Sequence, residues 1–427
     1  MKQLKGILRI TVIVILMVMA GGASAVPAQE NGNGQAANGG TGSDSTGVSL
    51  LTCSPRNAIY GLYGHTAIRY WDKRTGMDWT FNYGIFNFSK PYFELRFALG
   101  KTDYELGVLP YYLFKSEYSQ LGCQVNEQPL NLSDDEKERV IKALETNYRP
   151  ENRVYRYNFF YNNCTTRARD IIESCIDGDI VYPDYADNDT AERQTFREAI
   201  HVYTAGHPWA ALGNDLALGI KADLKMSLRE HQFLPEYLMA DFDGARICTG
   251  GKYRPLVKEN KIIVEKKAFM NPESMPDLMD TIFTPTLCAL IFMALSAGVA
   301  LLELKRRKTL VLWDLFLMTA TGTAGLILLL LFFSEHPATS TNLQILLLNP
   351  MSFIFIPAVA MRKKTIYWKL SAILAALLLP GMIFQDYAEG FIIVALSLQI
   401  RNWINMRLSA GSSRITRQTN SKEARNQ

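Results

Sequence analysis

The stretch Tyr161-Asn162-Asn163-Cys164-Thr165-Thr166 puts a thiol where a polar turn becomes a helix. Beyond it the apolar residues run Cys164, Ala168, Ile171, Ile172, Cys175, a helical spacing that leaves Arg167, Arg169 and Asp170 off the stripe. Asn162 and Asn163 are residue types that cap helix N-termini, so Cys164 is expected in or beside the first turn. Unpaired N–H groups and the positive end of the helix dipole favour a thiolate there, and the thiolate is the nucleophile. The competing reading is a small core residue on the helix's inner face.

A cysteine nucleophile needs a base, and the chain has five histidines. His65 stands in Gly64-His65-Thr66-Ala67-Ile68-Arg69, at the start of an expected strand. His201, His207 and His231 fall in a helical region, and His336 in a loop between two apolar runs. His65 and Cys164 form a catalytic dyad if the fold joins them; otherwise His65 is a structural residue at a strand end. A third polar group would fix the imidazole tautomer. Asn82, in Phe81-Asn82-Tyr83-Gly84 on the following strand, is preferred over Asp72, which sits in a turn. Asn163 and the Cys164 N–H are the expected oxyanion donors. Tyr83 and Arg69 on the two strands, with His336 and Asn342 on the outer side of the apolar region, are expected substrate contacts. No Cys-x-x-Cys or His-x-x-x-His pair, phosphate loop or dinucleotide fingerprint occurs, so neither a metal nor a cofactor is expected.

Several segments must position these residues. Residues 1–25 carry Lys2, Lys5 and Arg9 before an apolar run and close on Ala23-Ser24-Ala25, the pattern of a signal peptide. Residues 26–48, rich in Gly, Asn and Ser, read as a flexible linker. Residues 49–275 are mixed in polarity and long enough for one domain with its own core. Strands are expected at 66–71 and 79–86, joined by a turn at 72–76, and again at 104–113 and 154–159. Ser133-Asp134-Asp135-Glu136 is a capping box that opens a helix to about Tyr148. Residues 190–245 read as mainly helical, with breaks at Gly206-His207-Pro208 and Leu234-Pro235. Strands followed by helices give an α+β domain.

After Asp280 the chain changes character. Apolar runs at 281–302, 309–333, 343–361, 366–384 and 387–404 each approach the length needed to cross a bilayer, with Asn349-Pro350 interrupting the third. Residues 305–308, 362–364 and the tail 406–427 are basic, whereas 334–342 and 385–390 contain no Lys or Arg. Basic loops belong in the cytoplasm, which puts residues 26–275 outside. Of the six cysteines, Cys288 lies in the first span and five face an oxidising compartment. Cys53, Cys123, Cys175 and Cys248 are therefore candidates for two disulfides of undetermined connectivity. The net charge of +4 carries no nucleic-acid signature.

The Gly-His-Thr-Ala-Ile-Arg strand (64–69), the Asn-Tyr-Gly strand (82–84), the later Asn-Asn-Cys-Thr-Thr helix start (162–166) and five C-terminal spans have a familiar order. Over about residues 49–405 they resemble the Bacteroides-type lipoprotein N-acyltransferase family. The exported part is similar to the circularly permuted branch of the NlpC/P60 papain-like superfamily, in which the histidine strand precedes the cysteine helix. The resemblance implies a permuted papain-like catalytic domain (49–275) in the periplasm, followed by an all-α five-helix transmembrane domain (281–405) in the bacterial inner membrane. Carried over residue by residue, it puts the nucleophile on Cys164 and the base on His65. The third polar position is not fixed by the motif, and Asn82 rests on strand order. The implied reaction moves an acyl chain from a membrane phospholipid, through a Cys164 thioester, to the α-amine of the diacylglyceryl-cysteine of a lipoprotein. The implied partners are phospholipid, diacylated lipoproteins and the bilayer, with no cofactor and no nucleic acid. Two other classes remain open: a papain-like cell-wall peptidase or amidase using the same dyad, and a non-catalytic membrane scaffold with a structural Cys164. Five spans exceed what anchoring a peptidase requires.

Overall fold

The strand that opens with His65 sits inside a sheet whose side chains alternate between two buried faces. The computed structural model describes residues 45–56, 58, 61–86, 91–183, 193–267, 282–363 and 365–423, without the side chains of 93, 94 and 410–423. The expected signal peptide and residues 26–44 of the linker lie outside the described residues. The described chain divides into two compact units, one within Met1–Tyr203 and Lys225–Pro276, the other within Thr204–Leu224 and Asp277–Gln427.

In the first unit the order is β1 (Thr46–Cys53), β2 (His65–Asp72), β3 (Met77–Ile85), α1 (Phe93–Ala98), β4 (Asp103–Pro110), α2 (Tyr111–Gln120), β5 (Val125–Pro129), α3 (Asp134–Tyr148), β6 (Val154–Arg156), α4 (Cys164–Ser174), β7 (Asp179–Val181) and α5 (Phe196–Thr204). After an excursion into the second unit, which holds α6 (Pro208–Ala217), it resumes with α7 (Leu228–His231), α8 (Pro235–Gly244), β8 (Arg246–Thr249), β9 (Lys252–Pro255) and β10 (Lys261–Val264). Seven strands form one antiparallel sheet in the order β10-β5-β1-β2-β3-β4-β6, and β7-β8-β9 form a second. The unit is α+β.

Every residue of β1 is buried, as befits a strand paired on both edges and covered on both faces. It starts at Thr46, so the sheet reaches into the segment expected as linker; Val48, Leu50 and Leu51 supply the apolar surface. One face carries the main core, where Leu50, Ile68, Phe81 and Tyr83 meet Val140 and Leu144 of α3 and Ala168 and Ile172 of α4. The other face carries a smaller cluster of Leu51, Cys53, Ala67, Phe114 and Val125. The strand expected over 104–113 stops at Pro110, which caps α2, and the helix then turns Phe114 into the smaller cluster. The two disulfides considered for Cys53, Cys123, Cys175 and Cys248 are not formed, and all six cysteines are free. Cys53 and Cys175 lie in the cores on opposite faces of the sheet, which keeps their thiols apart.

The second unit is helical: α6, then α9 (Pro285–Arg306), α10 (Val311–Phe332), α11 (Ser352–Ala360), α12 (Tyr367–Ala376), α13 (Leu378–Gly381) and α14 (Phe391–Glu423). Among the described residues two helices, α9 and α10, are long and apolar enough to cross a membrane. The third expected span is instead a 3-10 turn, Leu343–Leu346, and the nine-residue α11, about 14 Å long at 1.5 Å per residue. Asn349-Pro350 separates them. Arg401, which shortens the fifth apolar run, is buried with Glu303 and Asp314, donating to Glu303 and, at 2.6 Å, to Asp314 Oδ1. Charges inside a helical bundle persist when paired in this way, and the network ties α14 to α9 and α10.

The segment Thr204–Leu224 is held by backbone pairing and by a buried amide cluster. Gly219 N–H donates to Ala338 O at 2.8 Å, and Ile220 N–H to Thr341 O at 3.3 Å. The last carbonyls of α6 and its C-cap Leu218 have no partner within the helix. Gln344 Nε2 donates to Asp215 O at 2.7 Å, Asn342 Nδ2 to Leu216 O at 2.7 Å and Gln385 Nε2 to Leu218 O at 3.1 Å.

Candidate active site

Gly64 makes the turn into β2 at φ +74, and a Cβ there would stand 2.6 Å from Cys53 O, so the residue before His65 has to be glycine. The β2–β3 ladder runs from Ile68–Phe81 to Asp72–Met77 and stops short of His65. On the other edge of β3 the register with β4 shifts between Asn82 and Ile85, with Gly84 at φ +92. This bulge frees Tyr83 and Gly84 from regular pairing just after Asn82, which still pairs with Gly107. α4 lies against β2 and β3 and begins beside this bulge.

The start of α4 is set by Asn163. Its Oδ1 accepts from Thr165 N–H at 2.8 Å and Thr166 N–H at 2.9 Å, while Thr166 Oγ1 accepts from Asn163 N–H at 2.9 Å. The cap takes the second and third helical N–H groups, and Cys164 is the first residue of the helix. Its own N–H points out of the helix end without an intrahelical acceptor.

His65 Nε2 donates to Asn82 Oδ1 at 2.6 Å. The other ring nitrogen, Nδ1, is left for Cys164, with which His65 shares a side-chain hydrogen bond. The Thr66 N–H also reaches the sulfur, and Thr165 Oγ1 lies 3.8 Å from it. Burial works against a charged Cys164, yet the adjacent His65 charge, its hydrogen bond and these two donors outweigh it and lower the thiol pKa. Burial likewise opposes a charged His65, and Cys164 outweighs it, raising the imidazole pKa. Both shifts favour the charged form of each group, and Asn82 holds the ring. Both residues are partly exposed to solvent.

Aromatic side chains wall the sulfur. Tyr104 packs edge-on to Tyr157 at 4.1 Å between centroids and tilts against Phe86 at 5.0 Å, and Tyr155 meets Tyr83 at 6.0 Å. Burial first, and the charge on Cys164 second, hold the Tyr104, Tyr155 and Tyr157 phenols above their ordinary range, so they remain donors. Such a site can carry out nucleophilic acyl transfer beside an apolar wall.

Residues 39–195 match the family described as the Lnb N-terminal periplasmic domain, and residues 277–412 match the Lnb transmembrane domain. The chain belongs to the Lnb-type lipoprotein N-acyltransferase family. Neither the curated proteins nor the solved structures contain a significant match to the chain. The Lnb match accounts for both units: the antiparallel sheet unit carries the periplasmic domain and the helical unit the transmembrane domain.

In this Lnb-family chain His65, Asn82 and Cys164 come together, and Asn163, Tyr83, Arg69 and Asp72 have different work. Asn163 is a helix cap whose Nδ2 also donates to Phe159 O and Phe233 O, both at 2.8 Å, so it has no donor left for an oxyanion. Tyr83 is 1% exposed in the main core; its hydroxyl accepts from Asn147 Nδ2 at 3.0 Å, and burial pushes its pKa up to about 12. Arg69 is clamped by Asp78 at 2.8 Å and Glu127 at 2.9 Å, with Tyr111 stacked 3.5 Å away. Asp72 closes the β2–β3 turn by accepting from Arg74 N–H at 2.8 Å. Asn342 belongs to the amide cluster of the second unit. His336 lies in that unit too, in a turn where its N–H donates to Ser334 Oγ at 3.3 Å and its carbonyl accepts from Thr339. Among the described residues no three His, Cys, Asp or Glu side chains gather to hold a metal ion.

Three residues at the site escape sequence reasoning: Thr66, Tyr155 and Gly84. Tyr155 comes from β6, the edge strand next to β4, and its hydroxyl borders the space beside Gly84 that Cys164 also borders. Gly84 had a visible signal, a glycine two residues after Asn82 within a strand, which marks a bulge or a close approach.

Proposed function

We propose that this protein moves an acyl chain from a membrane phospholipid to the free α-amine of the diacylglyceryl-cysteine of a lipoprotein. Cys164 thiolate attacks the ester carbonyl carbon, and the carbonyl π pair moves to oxygen. When the C=O re-forms, the glycerol alkoxide leaves, takes the proton from His65, and departs as lysophospholipid. The acceptor amine then attacks the thioester and gives its proton to His65 as the C–S bond breaks. A thiolate leaves more readily than an alkoxide, so the thioester is primed for an amine. Asn82 keeps the imidazole turned toward the sulfur through both halves. Both substrates are lipids of the outer leaflet of the bacterial inner membrane, where a multi-pass protein with its catalytic domain in the periplasm reaches them. No cofactor enters.

The observation that carries this reading is the lowered thiol of Cys164, bonded to a His65 that Asn82 holds at 2.6 Å, in a chain of the Lnb family. The test is mass spectrometry of lipoprotein N-termini from cells with wild type or Cys164→Ser as the only copy. Three acyl chains in wild type, and two with a free α-amine in the variant, are expected. Identical triacylated N-termini in both strains would overturn the assignment.

A further inference from the structure

Acyl transfer at Cys164, the reading on which this inference rests, passes through a tetrahedral oxyanion that needs preorganised donors. The Cys164 N–H is one, and a side chain can supply a second. Asn163 does not supply it, and Asn162 is turned to other partners. Asn162 Nδ2 donates to Arg156 O at 2.8 Å and its Oδ1 accepts from Arg167 Nε at 2.9 Å, while Asn163 is committed to its cap. The Thr66 and Thr165 hydroxyls pair with each other at 3.1 Å, which commits one of their two protons, and Thr165 Oγ1 lies 3.8 Å from the sulfur.

Tyr155 Oη is different. It is buried and has no hydrogen-bond partner, in a side chain that is only 7% exposed. A Cβ on Gly84 would meet Cys164 Cβ at 3.7 Å and Tyr155 Oη at 4.0 Å, so both groups border one small space that this glycine leaves open. The ring is fixed on either side, by the Arg167 guanidinium stacked 3.9 Å from its centroid and by Tyr83. Arg167 itself stands one turn beyond Cys164 on α4. A buried hydroxyl without an acceptor destabilises the resting protein. It contributes only in a state that brings an acceptor to it.

We infer that Tyr155 Oη is the side-chain donor of the oxyanion hole, acting beside the Cys164 N–H. As the C–S bond forms and the carbonyl pair moves to oxygen, both donors bind that oxygen and keep their protons. They release it when the C=O re-forms and the leaving group departs with the proton of His65.

The test uses the purified full chain in detergent, wild type against Tyr155→Phe. Cys164 acylation is followed as the burst from p-nitrophenyl butyrate, and thiolate reactivity as alkylation by iodoacetamide, which attacks a saturated carbon and forms no oxyanion. The variant should acylate slower by about tenfold or more, since single oxyanion donors contribute on the order of 10²–10³ in natural reactions. Its alkylation rate and pH midpoint should match wild type, and its melting temperature should be equal or higher. Acylation within about threefold of wild type, or acylation and alkylation falling together, would overturn the inference. If Tyr155→Phe does not fold, a fluorinated tyrosine at 155 makes the hydroxyl more acidic; an unchanged acylation rate would then be the overturning result. A tenfold effect on the nitrophenyl ester, with no phospholipid turnover in either form, would remove the proposed acyl donor and still support Tyr155.

Discussion

Two polar clusters in this molecule look alike in composition and behave in opposite ways. Around Asn342 three buried amides satisfy one another and the chain. Gln344 and Gln385 each donate to a carbonyl of the α6 end and to Asn342 Oδ1, and their oxygens accept from Ala388 and Leu343 N–H groups. Around Cys164 the bonds are incomplete: the first N–H of α4 has no intrahelical acceptor, Tyr155 Oη has no partner, and a thiol with a lowered pKa faces partial solvent. The first cluster rigidifies and the second waits for a substrate. Polar residue types alone do not mark a site; uncommitted donors and a perturbed nucleophile do.

The sharpest separation of the two clusters comes from His65→Ala, which should reduce acyl transfer by about 10²–10⁴-fold. The His65 charge and hydrogen bond lower the Cys164 pKa, so removing them must shift the pH midpoint of Cys164 alkylation upward, toward an ordinary thiol. A midpoint that stays put would mean that the helix start and the threonines, not His65, hold the thiolate. Gly84→Ala should have a smaller effect on activity and a visible one on stability. Its φ of +92 strains any residue with a Cβ by roughly 1–3 kcal/mol, and the methyl enters the space between Cys164 and Tyr155. Thermal unfolding and the acylation burst read the two parts separately, and an unchanged burst would show that the acyl oxygen does not use that space. Asn342→Ala should leave Cys164 acylation and alkylation unaltered. It orphans Leu216 O and the amides of its neighbours, so the unfolding free energy should fall by about 1–3 kcal/mol. Lost acylation at unchanged stability would erase the contrast, returning Asn342 to a substrate role.

Much of the exported domain was legible from local signals. The His65 strand, the turn at 72–76, the capping box at Ser133 and the Cys164 helix each announce themselves within a few residues, and all four are present. Asn82 was reachable because strands joined by a tight turn are neighbours, so one polar residue on β3 had to face the end of β2. Tyr155 was not reachable, since its place depends on β6 pairing with β4. Tyr83 and Arg69 were misjudged for one reason: a polar side chain near a site in sequence can be satisfied by core partners such as Asn147 or Glu127 that lie far along the chain. β1 hid in a Gly- and Ser-rich stretch because a central strand is recognised by its pairing on both sides. The apolar runs were visible, and so was the Asn349-Pro350 break in the third, whereas the lengths of the helical pieces on either side of it were not.

The placement of Thr204–Leu224 also has a consequence in time. The carbonyls at the end of α6 are satisfied by side chains 126 to 167 positions later in the chain. At about 5–20 residues per second of synthesis, those partners emerge on the order of ten seconds after α6 itself. During that interval the exported part of a nascent chain carries an unfinished segment, with Leu212 and Leu216 still lacking the apolar neighbours they pack on in the completed protein. Assembly therefore cannot close from the N-terminus forward: α6 takes its final bonds only after 342–344 and, last of all, Gln385 have been made.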